Sequence, residues 1–254
     1  MKKIASRDNA IFKMLSKIEH SAKERKNSGK TILDGIHLVE SCIASGFSPD
    51  LVVVRDDCLE KQEIQDILKG REIVSMADLL FDRLSPVKHP TGILALLSIP
   101  FPEAAHQPEF CVFLDEIQDP GNMGAILRSA AAAGATDIHL SGGCTDPWSP
   151  KVLRSGMGAH FSLRIHEDQD LLEAMNHYHG KKIALDLDAD LSIYDLDLRG
   201  KTGFVVGNEG AGISDEVLGC SSVRAKIPMP GKIESLNAAQ AAAICFFERV
   251  RQKA

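Results

Sequence analysis

Apolar residues return at helical spacing over residues 10–20, where Ile11, Met14, Leu15 and Ile18 fall on one stripe, so this stretch reads as a basic amphipathic helix. A second helix is predicted near Gly35–Ser45. The short apolar run Leu51–Val54 reads as a buried strand, Leu59–Leu68 as a helix, Ile73–Val74 as a strand and Met76–Leu84 as a helix. Thr91–Ser98 (TGILALLS) closes this half with another apolar strand, and residues 1–100 read as a compact α/β unit. The next segment, IPFPEAAHQPEF, carries Pro100, Pro102 and Pro108 and has no periodicity, which suits a connector. The chain is therefore expected to hold two domains, 1–100 and 108–254.

Beyond the connector, apolar strand candidates alternate with helices. The strands are Cys111–Leu114, Ile138–Leu140, Phe161–Ile165, Ile183–Leu187, Phe204–Val206 and Ala225–Ile227. The helices are Met123–Ala133, Pro150–Gly156, Asp170–His177, a short one after Gly212, and Leu236–Arg251. Near-continuous apolar strands separated by helices argue for a mainly parallel sheet covered on both faces, which binds ligands at the carboxyl ends of its strands.

With 254 residues, 44% hydrophobic and 25% charged, the chain can fill one large core or two unequal ones. No run reaches the roughly 18 apolar residues of a membrane span, and Met1–Ala5 lacks the apolar core of a secretory signal, so a cytoplasmic protein without membrane contact is expected. Six scattered cysteines form no CxxC pair and are expected to be reduced and mostly buried. His177 and His179 have no thiol or carboxylate at ligand spacing, so they read as surface histidines and no metal is expected. The net charge of −6 hides an asymmetry: residues 1–30 hold nine Lys/Arg against three acids. Such a basic arm suits either phosphate contacts or a solvated helix face, and charge alone does not separate the two.

Three motifs carry candidate chemistry. In LDEIQDPGNMGAILRSAAAAGA (114–135), a strand ends, a Pro-Gly turn follows, and Asn122 is expected to cap a helix running to Gly134. Arg128 sits among Ile126, Leu127 and alanines, a packed setting in which a guanidinium needs an anionic partner. In FVVGNEGAGIS (204–214), a strand enters a glycine turn that is neither a dinucleotide fingerprint nor a P-loop, and Glu209 can accept hydrogen bonds from backbone N–H groups or from an arginine. In IPMPGKIESLNAAQAAAICFFERV (227–250), Ser235 and Asn237 stand at the mouth of a helix that is apolar nearly all round to Phe247. Capping explains one of these two polar residues but not both.

In this order and at these separations the three motifs closely resemble the signatures of the SpoU/TrmH family of RNA ribose methyltransferases, strongly over residues 110–254. ILDGIHLVE (32–40) and TGILALL (91–97) look like that family's small substrate-binding domain, with Asp34 where the family often has glutamate. The resemblance implies a parallel α/β sheet with a C-terminal trefoil knot, preceded by a small ribosomal-protein-like α/β domain. It implies S-adenosylmethionine bound in a bent shape around Gly207, Ile227, Met229 and Leu236, and a catalytic set of Asn122, Arg128, Glu209, Ser235 and Asn237. The site would form in a homodimer, with Arg128 supplied by the partner subunit.

Arg128 is the family's suggested proton acceptor, yet arginine stays charged in proteins. The expected role is therefore to bind the adjacent phosphate and stabilise a developing alkoxide. Glu209 would orient the guanidinium, and Ser235 and Asn237 would hold loop and hydroxyl. The implied reaction is methylation of a ribose 2′-hydroxyl in RNA, with ribosomal RNA favoured and transfer RNA second. Arg7, Lys13, Lys17, Arg25, Lys26 and Lys30 are the candidate RNA contacts. Two other readings stay open: an idle RNA-binding homodimer of the same fold, and a base methyltransferase.

Overall fold

The computed structural model describes residues 2–87, 89–102 and 107–254. Residues 103–106 of the proline-rich connector lie outside the described residues. The chain divides into two compact units, Met1–Pro100 with Trp148–Phe161, and Phe101–Pro147 with Ser162–Ala254. No described helix is long and apolar enough to cross a membrane.

The first unit is built from β1 (Lys2–Ile4), α1 (Ala10–His20), α2 (Ala22–Ser28), β2 (Lys30–Asp34), α3 (Ile36–Ala44), β3 (Leu51–Arg55), α4 (Gln62–Leu68), β4 (Ile73–Met76), α5 (Asp78–Leu84) and β5 (Ile93–Ser98). Its sheet runs β1-β4-β3-β5-β2, with β5 antiparallel to both neighbours and the other pairs parallel. Asn9 caps α1 by accepting from the Ile11 N–H at 2.9 Å. The buried face of α1 is Phe12, Leu15, Ile18 and Glu19, while Met14 is exposed. The stripe is thus centred on Leu15 and turned toward Phe12 relative to the expected one, because the Ile4, Val53, Met76 and Leu94 side chains of the sheet offer more apolar surface there. Ser21 ends α1 and caps α2, and Gly29, at φ 61°, closes α2 in the left-handed region.

The polar-flanked elements β1, α2 and β2 were not anticipated from the pattern of apolar residues. The segment Trp148–Phe161, with helix α7 (Pro150–Gly156), belongs to this unit although the sequence pattern sets that helix among those of the C-terminal half. Thr31 Oγ1 donates to the Trp148 carbonyl at 2.7 Å, and Phe47 packs on Phe161 with centroids 5.6 Å apart. At Gly158 (φ 87°) an added Cβ would lie 2.8 Å from Ser41 Cβ, so glycine is what allows this segment onto α3.

The second unit contains β6 (Phe110–Leu114), α6 (Pro120–Ala132), β7 (Asp137–Ser141), β8 (Arg164–Gln169), α8 (Leu171–His177), β9 (Lys181–Leu185), β10 (Leu191–Ser192), β11 (Thr202–Val206), α9 (Asp215–Cys220), β12 (Val223–Lys226) and α10 (Ala238–Lys253). Its seven strands are ordered β10-β12-β9-β11-β6-β7-β8 and every pair is parallel. The α/β class with a mainly parallel sheet therefore stands as expected. The expected strand Phe161–Ile165 is shifted: Ala159–Ser162 forms a 3-10 turn and pairing begins at Arg164. The central strands are buried throughout, which is why β6 (FCVFL) and β11 (TGFVV) read as continuous apolar runs. The cysteines are free, and His177 and His179 are exposed.

At the other end of the sheet, Asp137 is buried and accepts from Arg164 Nε at 2.8 Å, Arg164 Nη2 at 2.6 Å and Thr136 Oγ1 at 2.6 Å. Its carboxyl is held far below the usual range, because these bonds and the His166 contact outweigh the cost of burial. His139 is stacked between Phe113 and His166, with centroids 5.0 and 4.6 Å away, and burial pushes its pKa down to about 4. An unfolded histidine titrates near 6.5, so between those two pH values the unfolded chain takes up a proton that the folded chain refuses. Stability is therefore expected to fall by roughly 2–3 kcal/mol between pH 7.5 and 4.5 on account of this residue. In His139→Phe, which keeps the stack on Phe113, urea unfolding at the two pH values should show that much less acid sensitivity; an unchanged difference would exclude the assignment.

Candidate active site

Four adjacent strands, β12, β9, β11 and β6, point the same way, so the chain leaves all of them on one edge of the sheet. Asp186, Gly207, Ile227 and Asp115 are the residues that follow β9, β11, β12 and β6. The glycine turn after β11 is a closed structure. Asn208 and Gly212 exchange backbone hydrogen bonds at 2.8 and 3.0 Å, and Asn208 Oδ1 accepts from the N–H groups of Gly210 and Ala211 at 2.8 and 2.9 Å. A Cβ at Gly207 would sit 2.4 Å from the Gly212 carbonyl, so no other residue fits the turn. Two further contacts fasten the turn to the end of β6: Ser214 donates to the buried Asp115 carboxylate from its N–H at 3.0 Å and its Oγ at 2.8 Å, and Asn208 Nδ2 donates to the Glu116 carbonyl at 2.9 Å. Asp115, Asn208 and Ser214 were missed in the sequence. Only the turn-forming Asn208 carries a local signal.

Asn122 does not cap α6. Asp119 does, accepting from the Asn122 N–H at 2.8 Å, with Pro120 in the first turn. The side chain of Asn122 is thereby left for longer-range contacts. Its Nδ2 donates to Glu209 Oε1 at 2.9 Å, and its Oδ1 accepts from Asn237 Nδ2 at 2.8 Å. Asn237 in turn caps α10, its Oδ1 accepting from Ala239 and Gln240 N–H groups at 3.0 and 3.3 Å. One side-chain relay therefore joins all three motifs.

Glu209 also accepts from the backbone N–H groups of Asp119 and Gln118, at 3.2 and 3.3 Å. Burial alone would raise its carboxyl, but the Asn122 amide and these N–H groups prevail and hold it below the ordinary carboxylate range. Among the described residues its partners are an amide and backbone N–H groups, not a guanidinium. Arg128 is exposed on α6, and among the described residues it has no hydrogen bond or ion pair. The expectation of a packed Arg128 fails within the single chain, since Ile126, Leu127 and Ala130 turn inward and the helical step sends Arg128 outward.

Beside the relay lies a cleft of about 540 Å³, lined by Gly207, Ile227, Met229 and Leu236 together with Glu209 and Ser235. The four positions that the family resemblance implies for S-adenosylmethionine thus share one cavity. Its size falls within the range of small-molecule sites. Val206, Ile213 and Leu218 give apolar walls, and the tight Gly207 turn brings backbone polar groups to the surface of the cleft. An adenine ring and a flexible charged chain fit that mixture. Asp186 and Arg224, which the sequence reading overlooked, form an ion pair on the wall.

Among the N-terminal basic residues, Arg7, Lys17 and Lys26 are exposed, Lys13 pairs with Asp8 at 2.8 Å and Lys30 with Asp50 at 2.8 Å. Arg25 is buried, its Nη1 donating to the Ile18 and Glu19 carbonyls at 2.7 and 3.0 Å. It closes the carbonyl end of α1 and is not available to RNA, which corrects its place among the candidate contacts.

Comparison with known proteins gives a consistent picture. The family model described as SpoU rRNA Methylase matches residues 109–247, and one described as an MRM3-like substrate binding domain matches 9–95. An uncharacterized tRNA/rRNA methyltransferase of Synechocystis is 31% identical over 98% of this chain and 94% of its own. The 23S rRNA guanosine 2′-O-methyltransferase RlmP of Bacillus subtilis is 29% identical over 97% and 98%. The crystal structure of the SpoU methyltransferase AviRb from Streptomyces viridochromogenes in complex with AdoMet superimposes with a TM-score of 0.87 at 27% identity, covering 96% of this chain and 98% of that one.

The two jobs of Asn237 can be separated. Asn237→Ala removes the α10 cap and should lower the melting temperature by about 2–4 °C, whereas Asn237→Asp keeps the capping oxygen and should stay within about a degree of the parent in calorimetry. The aspartate variant nevertheless lacks the donor to Asn122. Hydrogen exchange in 207–213 should then rise in both variants, and faster exchange in Asn237→Ala alone would break the relay argument.

Proposed function

Because the chain belongs to the SpoU rRNA methylase family, we propose that it methylates a ribose 2′-hydroxyl of ribosomal RNA, using S-adenosylmethionine and working as a homodimer. The observation that carries this reading is the relay Glu209–Asn122–Asn237 alongside a cleft lined by Gly207, Ile227, Met229 and Leu236. When bound, S-adenosylmethionine supplies an electrophilic methyl group on a positively charged sulfur. The protein's part is to position and to exclude water. Asn122, fixed at both ends of its amide, sets the distance between the glycine turn and the start of α10. Ser235, exposed on the cleft wall, is placed to donate to or accept from the ribose hydroxyl.

Arg128 enters this scheme from the partner subunit. Its outward position on α6 leaves the guanidinium to reach a second copy, where it would bind the phosphate beside the target ribose and stabilise charge on the oxygen. Ile244 and Phe247 are exposed on α10, which packs on α6, and they suit burial against that copy. A knotted path through the turn at 207–213 and the loop before α10 belongs to the same reading. Arg7, Lys13, Lys17 and Lys26 would supply phosphate contacts in the first unit.

Mixing two inactive proteins tests the shared site. Arg128→Ala and Asn122→Ala should each reduce methyl transfer to ribosomal RNA by about 10²-fold or more. If Arg128 acts across the interface, equal parts of the two, unfolded and refolded together, should regain up to about a quarter of wild-type sites, since each mixed dimer holds one intact site. No recovery from protein shown to be dimeric by sedimentation would place Arg128 in its own subunit's site. Mapping of 2′-O-methyl groups in the product RNA identifies the acceptor.

A further inference from the structure

The first unit contains a second pocket, of about 270 Å³, with mostly apolar walls from Ile36, Leu38, Val87, Pro90, Leu153 and Met157. Asp34 lines it and is 8% exposed. One of its carboxylate oxygens accepts from Ser85 Oγ at 2.8 Å, and the other has no hydrogen-bond partner among the described residues. Buried carboxylates are ordinarily satisfied, so an acceptor left open at the wall of a cavity points to a ligand with N–H groups.

Next to it, α3 begins without a side-chain cap. Thr91 Oγ1 takes the Ile36 N–H at 3.3 Å, and among the described residues the N–H groups of His37 and Leu38 have no acceptor. Arg154 lines the same pocket, with one guanidinium nitrogen buried and unpartnered. The pocket therefore offers apolar faces, a carboxylate acceptor and, beside it, backbone donors. It is smaller than sites for drug-sized molecules, which suits a single planar ring system.

We propose that this pocket captures an unstacked guanine of the RNA substrate, Asp34 accepting from its N1–H and N2–H groups and the first turn of α3 donating to O6. The inference rests on the RNA-methylation reading and adds a specificity site to it. An ionised carboxylate can only accept, and guanine is the base with two adjacent N–H donors beside a carbonyl. Adenine and cytosine place a ring-nitrogen acceptor next to their amino group, and uracil has one N–H between two carbonyls, so each would set an acceptor against Asp34. Unstacked bases read on this edge are the usual object of sequence-specific RNA recognition. Burial raises the Asp34 carboxyl, while the Ser85 hydroxyl and Arg154 oppose that rise; guanine N–H groups would act in the same sense as those two.

The test uses the full chain saturated with S-adenosylmethionine, so that nucleotides cannot enter the cofactor cleft, and titrates GMP, IMP, AMP and CMP by calorimetry. GMP should bind, IMP, which lacks the N2 amino group, about tenfold more weakly, and AMP and CMP weaker still. Asp34→Asn, which turns an acceptor into a donor, should weaken GMP by about tenfold or more and remove its advantage over AMP. Met157→Trp, altered at an exposed side chain on the pocket wall, should block GMP while leaving the melting temperature and S-adenosylmethionine binding intact. Equal binding of GMP and AMP, or wild-type GMP affinity in both variants, overturns the proposal. Methylation of ribosomal RNA with no guanine preference defeats this inference alone, whereas guanine-selective binding without any methylation defeats the functional reading alone.

Discussion

One amide side chain holds the second unit's chemistry together. Asn122 donates to Glu209 and accepts from Asn237, so three segments separated by up to 115 residues meet at two hydrogen bonds. An amide suits the position because its two ends differ: the nitrogen satisfies a carboxylate and the oxygen satisfies another amide's N–H. Aspartate there would set two carboxylates against each other, and leucine would leave Glu209 and Asn237 each short of a partner. The relay also fixes charge. The donors around Glu209 hold its carboxyl below the ordinary range, and in the proposed reading that negative charge beside the cleft would favour a cationic sulfur there.

The parallel sheet makes this meeting possible. Strands β12, β9, β11 and β6 deliver their following loops to the same edge, and the glycine turn at 207–213 is closed by its own backbone and pinned to Asp115. At Gly207, where an added Cβ would lie only 2.4 Å from the Gly212 carbonyl, side-chain volume is excluded, and the polar groups of the backbone become the lining.

Much of this was legible in the sequence. The apolar runs of β3, β6 and β11 are buried on both faces and so show as unbroken hydrophobic stretches, and the glycine and asparagine of motifs two and three mark turns and caps. Other features depend on tertiary context. Asp119 and Asn122 are both good caps, and only the position of Pro120 in the helix's first turn decides between them. Lys2–Ile4 and Lys30–Asp34 are outer strands of their sheet, and β1 in particular shows polar residues that hide it from a hydrophobicity reading. Arg25 looks like its basic neighbours in a list of charges, yet two carbonyls at the end of α1 draw it inside. The relay itself has no local signal, since its members meet only through the fold.

The segment 148–161 shows how domain limits in sequence and in space can part. It lies within the stretch matched by the methylase family model, yet it packs with the first hundred residues as one compact unit. Thr31 bonds to the Trp148 carbonyl, Gly158 meets Ser41, and Leu153, Arg154 and Met157 line the pocket around Asp34. A cut at the proline-rich connector would strip β2 and α3 of these contacts, leaving the Thr31 hydroxyl without its acceptor and baring Ile36 and Leu38. Residues 1–100 are thus complete as a hydrophobic pattern but incomplete as a packed body. Any recognition by the Asp34 pocket is built from residues on both sides of the connector, so it is a property of the whole chain.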